Sequence, residues 1–197
     1  MALDRWIAPH AARLPGLVIN VGAGEDQASY GRRVVRVDAF APGVTVRADL
    51  GQRLPFRDAT FDAAICTEVL EHVPDARLVL QELARVLRPD ARLLVSVPFI
   101  FHYHADPEDY FRWTLTGLKT ELVRAGFYVE ATVSIGGRLS ALALLLESTS
   151  IVAKIAVRLS VFAVSRVSGR GVVVDGRLSP WAQHVAAVAR RGPNENH

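Results

Sequence analysis

Leu17-Val18-Ile19-Asn20-Val21-Gly22-Ala23-Gly24 decides the fold. Leucine, valine and isoleucine in an uncharged run suit a short strand covered on both faces. Gly22 and Gly24 follow at once, and glycine lets the backbone turn sharply and come close to a ligand. A glycine pair alone is equally an ordinary turn, so its meaning depends on what stands at fixed distances from it.

Working outward, the chain alternates strands with helices. Asp4 to Arg13 reads as a helix capped by Asp4 and stopped by Leu14-Pro15-Gly16. Glu25 to Arg33 is a short helix or turn. Val34 to Val37 is a second strand ending in Asp38, and Val44 to Ala48 a third ending in Asp49-Leu50. Gly51 to Thr60 is loop. Phe61 to Thr67 is strand four, and a helix with a broad leucine face runs from Asp75 to Leu87, closed by Arg88-Pro89-Asp90. Strand five is Arg92 to Val97. A loop rich in histidine and aromatics, Phe99 to Thr114, leads to a helix over Thr116 to Ala125 and strand six over Phe127 to Ile135. Arg138 to Val167 reads as helical, Ser168 to Leu178 as a Gly/Arg-rich connector, and Trp181 to Arg190 as the last strand. This alternation predicts an α/β fold, a mostly parallel sheet with helices on its faces. Such sheets bind ligands beyond the carboxyl ends of their strands. Gly22, Asp38, Asp49 and Thr67 all stand at such ends.

The 197 residues suit one domain. Half are hydrophobic, enough for a sizeable core, and the net charge is +3 with Lys119 and Lys154 the only lysines. The basic residues are dispersed, so no nucleic-acid partner is expected. One cysteine, Cys66, excludes an intrachain disulfide, fits a reducing compartment and reads as core. The first residues lack a basic region followed by an apolar run, and no uncharged stretch approaches the roughly 18–20 residues of a spanning helix. A cytoplasmic location follows as an expectation.

Asp38 is placed to accept hydrogen bonds from a ribose diol, or to cap a turn. Asp49-Leu50 is placed to bind an adenine amino group and pack on its ring, or again to make a turn. Four further segments carry a resemblance: Leu54-Pro55-Phe56, Phe61-Asp62-Ala63-Ala64-Ile65, Glu68-Val69-Leu70-Glu71-His72-Val73, and Glu82 to Pro89. As an ordered set they resemble class I S-adenosylmethionine-dependent methyltransferases of the small "type 11" kind, over Leu17 to Ile135 and more weakly over Trp181 to Arg191. The resemblance implies a Rossmann-like doubly wound sheet of seven strands, the last antiparallel beside strand five, and S-adenosyl-L-methionine as cofactor. It implies that Gly22, Ala23 and Gly24 underlie the methionine part, that Asp38 holds the ribose, and that Asp49 and Leu50 sit at the adenine. Thr67, Glu68 and His72 would line the rest. Asn20 stands where family members usually carry an acid, so attraction to the cofactor's ammonium group would weaken. Asp26 replaces the third glycine of the usual loop.

Methyl transfer needs a nucleophile aligned with the methyl group and water kept out. The expected place is the loop after strand five. His102 or His104 is a candidate general base, since histidine titrates near pH 6.5. Arg112 would either clamp an anionic substrate or lock the loop through Asp109. His102-x-His104 with Asp106 lacks a distant third ligand, so no metal is expected.

The expected function is methyl transfer to a small-molecule, sugar or lipid-linked acceptor, with oxygen favoured. A catalytically silent, cofactor-binding scaffold or regulator is the alternative. An NAD-dependent oxidoreductase is weakened by the missing third glycine and by the early Asp38. Residues 138–178 form a helical insertion between the last two strands of the single 1–197 domain. For 138–167 three roles fit: a cap on the substrate pocket, a homodimer face, or a peripheral membrane helix with Lys154, Arg158 and Arg166 at the headgroups.

Overall fold

The computed structural model of the chain describes residues 2–24, 33–138, 141, 173–175 and 181–193. The expectations for Glu25 to Arg32 and for most of the 138–178 insertion lie outside the described residues.

Among the described residues eight strands form one sheet: β1 (Val18–Val21), β2 (Val34–Asp38), β3 (Val46–Arg47), β4 (Phe61–Thr67), β5 (Leu87–Pro98), β6 (Phe127–Ile135), β7 (Val173–Asp175) and β8 (His184–Arg191). Their order is β3-β2-β1-β4-β5-β8-β6-β7. β1 pairs in parallel with both β2 and β4, and β4 with β5. β8 runs antiparallel between β5 and β6. This is the expected seven-stranded sheet with an antiparallel last strand, extended by a three-residue edge strand inside the predicted connector.

Alternate residues of the central strands enter opposite cores, as the pleat requires. Ile19, Ala64, Cys66, Leu93 and Val95 join the core beneath α2 (Ala76–Val86) and α3 (Leu115–Arg124). Val18, Ala63, Ile65 and Leu94 join the core beneath α1 (Ala2–Ala11), where Leu3, Ile7 and Ala11 meet them. Burial on both faces is why these strands carry no alternating polar residues.

Several boundaries differ from the sequence reading. Asp4 lies within the first turn of α1 instead of preceding it, where its charge faces the positive helix end. β3 shrinks to two residues beyond the Gly43 turn. α2 begins after Asp75, whose carboxylate accepts the Leu78 amide at 3.1 Å. It passes into β5 without a loop. Leu87 already pairs with Phe61, and the next pair is Ala63 with Arg92. Arg88-Pro89-Asp90 is therefore a bulge inside the strand and not a break before it. Proline tolerates that place because a bulge needs no ladder N–H there, and Asp90 takes φ 63°. α3 starts after Thr114, whose hydroxyl accepts the Gly117 amide at 3.0 Å, and ends at Gly126 with φ 88°.

α2 also holds the loop before β4. Glu82 accepts the Leu54 amide at 2.8 Å, and Arg85 donates to the Leu54 and Phe56 carbonyls and to Asp58. Among the described residues no helix is long and apolar enough to cross a membrane.

Leu80 of α2 is fully buried in the larger core. Leu80→Ala should cost about 2–5 kcal/mol of stability, read from urea unfolding. A loss under about 1 kcal/mol would mean that the helix is not packed as described.

Candidate functional site

A cavity of about 950 Å³ opens where the carboxyl ends of β1 to β4 meet. Of the sequence-predicted cofactor residues, Gly22, Gly24, Asp38, Asp49, Leu50, Glu68 and His72 line it. Asn20 is buried within β1, in register with Arg36 and Ile65. Ala23 is buried in the turn, and Thr67 ends β4 opposite Ser96; none of these three faces the cavity. Asp106, Pro107 and Tyr110 of the 99–114 loop form the opposite wall.

The glycine turn is fixed from both sides. The Gly24 amide donates to Asp38 at 3.0 Å, while Arg36 donates to the Gly24 carbonyl at 3.2 Å. The other Asp38 oxygen accepts the amides of Phe40 at 2.8 Å and Ala41 at 2.9 Å. Burial alone would raise the Asp38 carboxyl. The amides of Ala41, Phe40 and Gly24 and the charge of Arg47 outweigh it and hold the group below its usual range. The two glycines are needed for different reasons. At Gly22, with φ 62°, a Cβ would lie 2.3 Å from a Val69 methyl. At Gly24, with φ 54°, a Cβ would meet nothing within 4 Å, which leaves the backbone open to the cavity.

On the β4 side, Glu68 takes φ 54° and lines the cavity. Its carboxylate accepts the Ser96 hydroxyl at 2.8 Å, and its other oxygen lies 2.8 Å from His184 Nδ1. Sequence reasoning did not single out Ser96 or His184, because they are distant in the chain. Their shared signal was a polar residue within an otherwise apolar strand, and the strand register brings both to Glu68. Arg36 was legible in the same way, as the one charge inside Val34 to Val37.

The 99–114 loop is stapled down at both ends. Phe99 and Ile100 amides donate to Gln183 and Ala182, and the Tyr110 amide donates to the Glu71 carbonyl at 2.7 Å. Arg112 contacts Asp109 through both terminal nitrogens, Nη2 at 2.5 Å, and also donates to the carbonyls of Phe101, His102 and Phe111. All five guanidinium donors are thereby committed inside the loop. Of the two roles open to Arg112, this contact pattern is the loop lock. The pairing holds the Asp109 carboxyl far below the usual carboxylate range. His102 is exposed and stacks on Phe101 at 4.5 Å. His104 is partly buried, which lowers its imidazole pKa, and it stands beside Asp109 and His72. His102, His104 and Arg112 do not line the cavity, whereas their loop neighbours do.

Glu71 and His72 occupy a single 3₁₀ turn, Leu70–His72, directly after β4. His72 Nδ1 lies 2.6 Å from the Glu108 carbonyl. Glu71 is buried, and burial with the nearby charge of Glu68 pushes its carboxyl up to about 8.

Residues 6–95 match the family described as Methyltransferase domain. That stretch, a little under half of the chain, resembles a methyltransferase domain. An O-methyltransferase of Aspergillus sclerotiorum, resE, is 38% identical over 88 residues, covering 44% of this chain and 31% of that protein. The chain spans less than a third of the length of the first curated relatives it matches. A SAM-dependent methyltransferase structure from Thermotoga maritima, titled a possible histamine N-methyltransferase, shares the fold with TM-score 0.65 and 14% identity, over 96% of this chain and 89% of that one. The [4+2]-cyclase SpnF shares it with TM-score 0.63 and 18% identity, over 96% and 80%. The same architecture thus also occurs in a protein named for other chemistry.

Two substitutions test the turn. The folded-state Asp38 value lies below the unfolded one, so its stabilisation is present above about pH 4 and is lost as pH falls through the folded value. Asp38→Ala should cost about 1–3 kcal/mol at pH 7 in urea unfolding. The gap to the native chain should shrink below about pH 4; a gap independent of pH would exclude the charge as its cause. Gly22→Ala should cost about 1–3 kcal/mol, and Val69→Ala in the same chain should recover only part of it, since the backbone strain remains.

Proposed function

We propose that the chain binds S-adenosyl-L-methionine in this cavity and transfers its methyl group to a small-molecule, sugar or lipid-linked acceptor, at an oxygen atom in preference. The observation that carries the reading is the joint placement of Gly24, Asp38, Asp49 and Leu50 on one cavity wall. Its volume of about 950 Å³ suits a nucleoside cofactor together with an acceptor. Gly24 fits close approach of a ligand, because no side chain fills the space a Cβ would take. The curated O-methyltransferase relatives, each matched over part of its length, support the preference for oxygen.

In this reading Asp38 holds the ribose hydroxyls with lone pairs left free by its three amides. Asp49 takes an adenine amino hydrogen, and buried Leu50 supplies apolar contact to the ring. Glu68 faces the ammonium group, fixed by Ser96 and His184. The cofactor supplies an electrophilic methyl group. The protein's task is to align the acceptor and exclude water. Tyr110 and Phe40, both exposed at the cavity, provide apolar surface for that. Arg112 keeps the loop in place, and the acceptor's proton passes to solvent or to His102, the loop histidine left exposed.

Calorimetric titration tests the cofactor half. S-adenosylmethionine should bind, Asp49→Ala should weaken it several-fold, and Asn20→Asp, which adds a buried negative charge in β1 before the glycine turn, should tighten it. Binding of NAD with none of S-adenosylmethionine would overturn the reading. Transfer is tested with a methyl-labelled cofactor and a small-molecule extract. Cofactor binding without any labelled product from extracts of its own cell would favour the scaffold or regulator.

A further inference from the structure

Glu71 is the least reconciled residue of the described structure. Its side chain is fully buried, yet neither carboxylate oxygen has a hydrogen-bond donor. Buried carboxylates without partners are costly and rare. Arg112 offers no relief, because its donors are spent on Asp109 and the loop carbonyls.

What does face Glu71 is a pair of imidazoles. His72 Nε2 lies 3.7 Å from Glu71 Oε1, and His104 Nε2 lies 3.8 Å from the same oxygen. These are too long for hydrogen bonds. One atom from each of the three residues lies within 4.8 Å of the others. The tautomers are set for ligation. His72 Nδ1 meets the Glu108 carbonyl at 2.6 Å, and His104 Nδ1 meets the His102 carbonyl at 3.2 Å. A carbonyl only accepts, so each Nδ1 carries a proton, which leaves Nε2 as the nitrogen free to ligate on the side facing Glu71. Metal-binding histidines are oriented by such partners on the other ring nitrogen.

We propose that Glu71, His72 and His104 bind a divalent transition-metal cation, zinc by its chemistry, at the wall of the cavity. Two imidazoles and one carboxylate suit zinc, whereas magnesium and calcium prefer oxygen donors. Zinc-to-ligand bonds of about 2.0–2.1 Å in a tetrahedron set the ligands about 3.3 Å apart, so the two spacings to Glu71 close by roughly half an ångström, and the two imidazoles, within 4.8 Å of each other, close by up to roughly 1.5 Å. The Tyr110 amide already ties the loop that carries His104 to the Glu71 carbonyl. Three protein ligands leave a fourth position for water or an oxygen of the acceptor. His72 also lines the cavity, so the cation stands beside the space assigned to cofactor and acceptor. Binding of the cation does not depend on the methyl-transfer reading.

The full chain, stripped with a chelator, is titrated with zinc chloride by calorimetry and followed by thermal melting. One zinc per chain should bind at micromolar concentration or below and raise the melting temperature. Glu71→Gln, which keeps shape but cannot become a carboxylate ligand, and His104→Ala should each weaken binding by at least about tenfold. His10→Ala should leave it unchanged, since His10 sits on α1 against the Trp6 carbonyl. Melting of each variant without zinc, near that of the native chain, shows that it folds. No zinc bound, or equal affinity in the native chain and both ligand variants, overturns the proposal.

Discussion

The site depends on how one glycine is clasped between two strands. Gly24 offers its amide to Asp38 and its carbonyl to Arg36, and both partners come from β2. Because β1 lies beside β2 in the sheet, Val18 to Val21 and Val34 to Val37 share a register that delivers these groups at one level. The clasp converts a chain reversal that glycine allows into a single backbone conformation. Asp38 makes that possible by remaining ionised, since a protonated carboxyl would accept the amides poorly.

The other wall is built by similar means from different strands. Glu68 follows β4, Ser96 belongs to β5 and His184 opens β8. Their hydrogen bonds tie one cavity carboxylate to three elements. The 99–114 loop is organised separately around Asp109 and Arg112. Its rigidity comes from a charge pair with further carbonyl contacts, which is stronger than an isolated surface pair because Asp109 is almost wholly removed from water. The cavity is thus assembled from a clasp, a carboxylate anchor and a locked loop.

Much of this was legible in the residues. The apolar run before Gly22, the acids ending the second and third strands, and the leucine face of α2 each expressed a local rule. Asp38 was placed by its position after a strand, and the cavity lining includes it. What was not legible depended on contacts between distant segments. Arg88-Pro89-Asp90 looks like a break because proline and a turn acid usually mark one, and only pairing with β4 keeps it in the strand. Val173 to Asp175 is too short to show alternation within its glycine-rich surroundings. His104 seemed to lack a third ligand because its neighbours in space, Glu71 and His72, come from more than thirty residues earlier in the chain. Glu71 stood in the sequence only as part of the Glu68-to-Val73 segment, and its burial without a partner is visible only in the folded chain.

The position of β8 carries a consequence for how the molecule is made. It leaves the ribosome after β1 to β6, yet its place is between β5 and β6. Until it arrives, both of those strands hold an open ladder edge, and they cannot simply pair with each other without shutting out the strand to come. Exposed edges of this kind invite pairing between chains. The nascent protein therefore passes through a stage at which its sheet is split into two incomplete halves, and shielding during synthesis matters more for it than for a sheet assembled in the order of its strands.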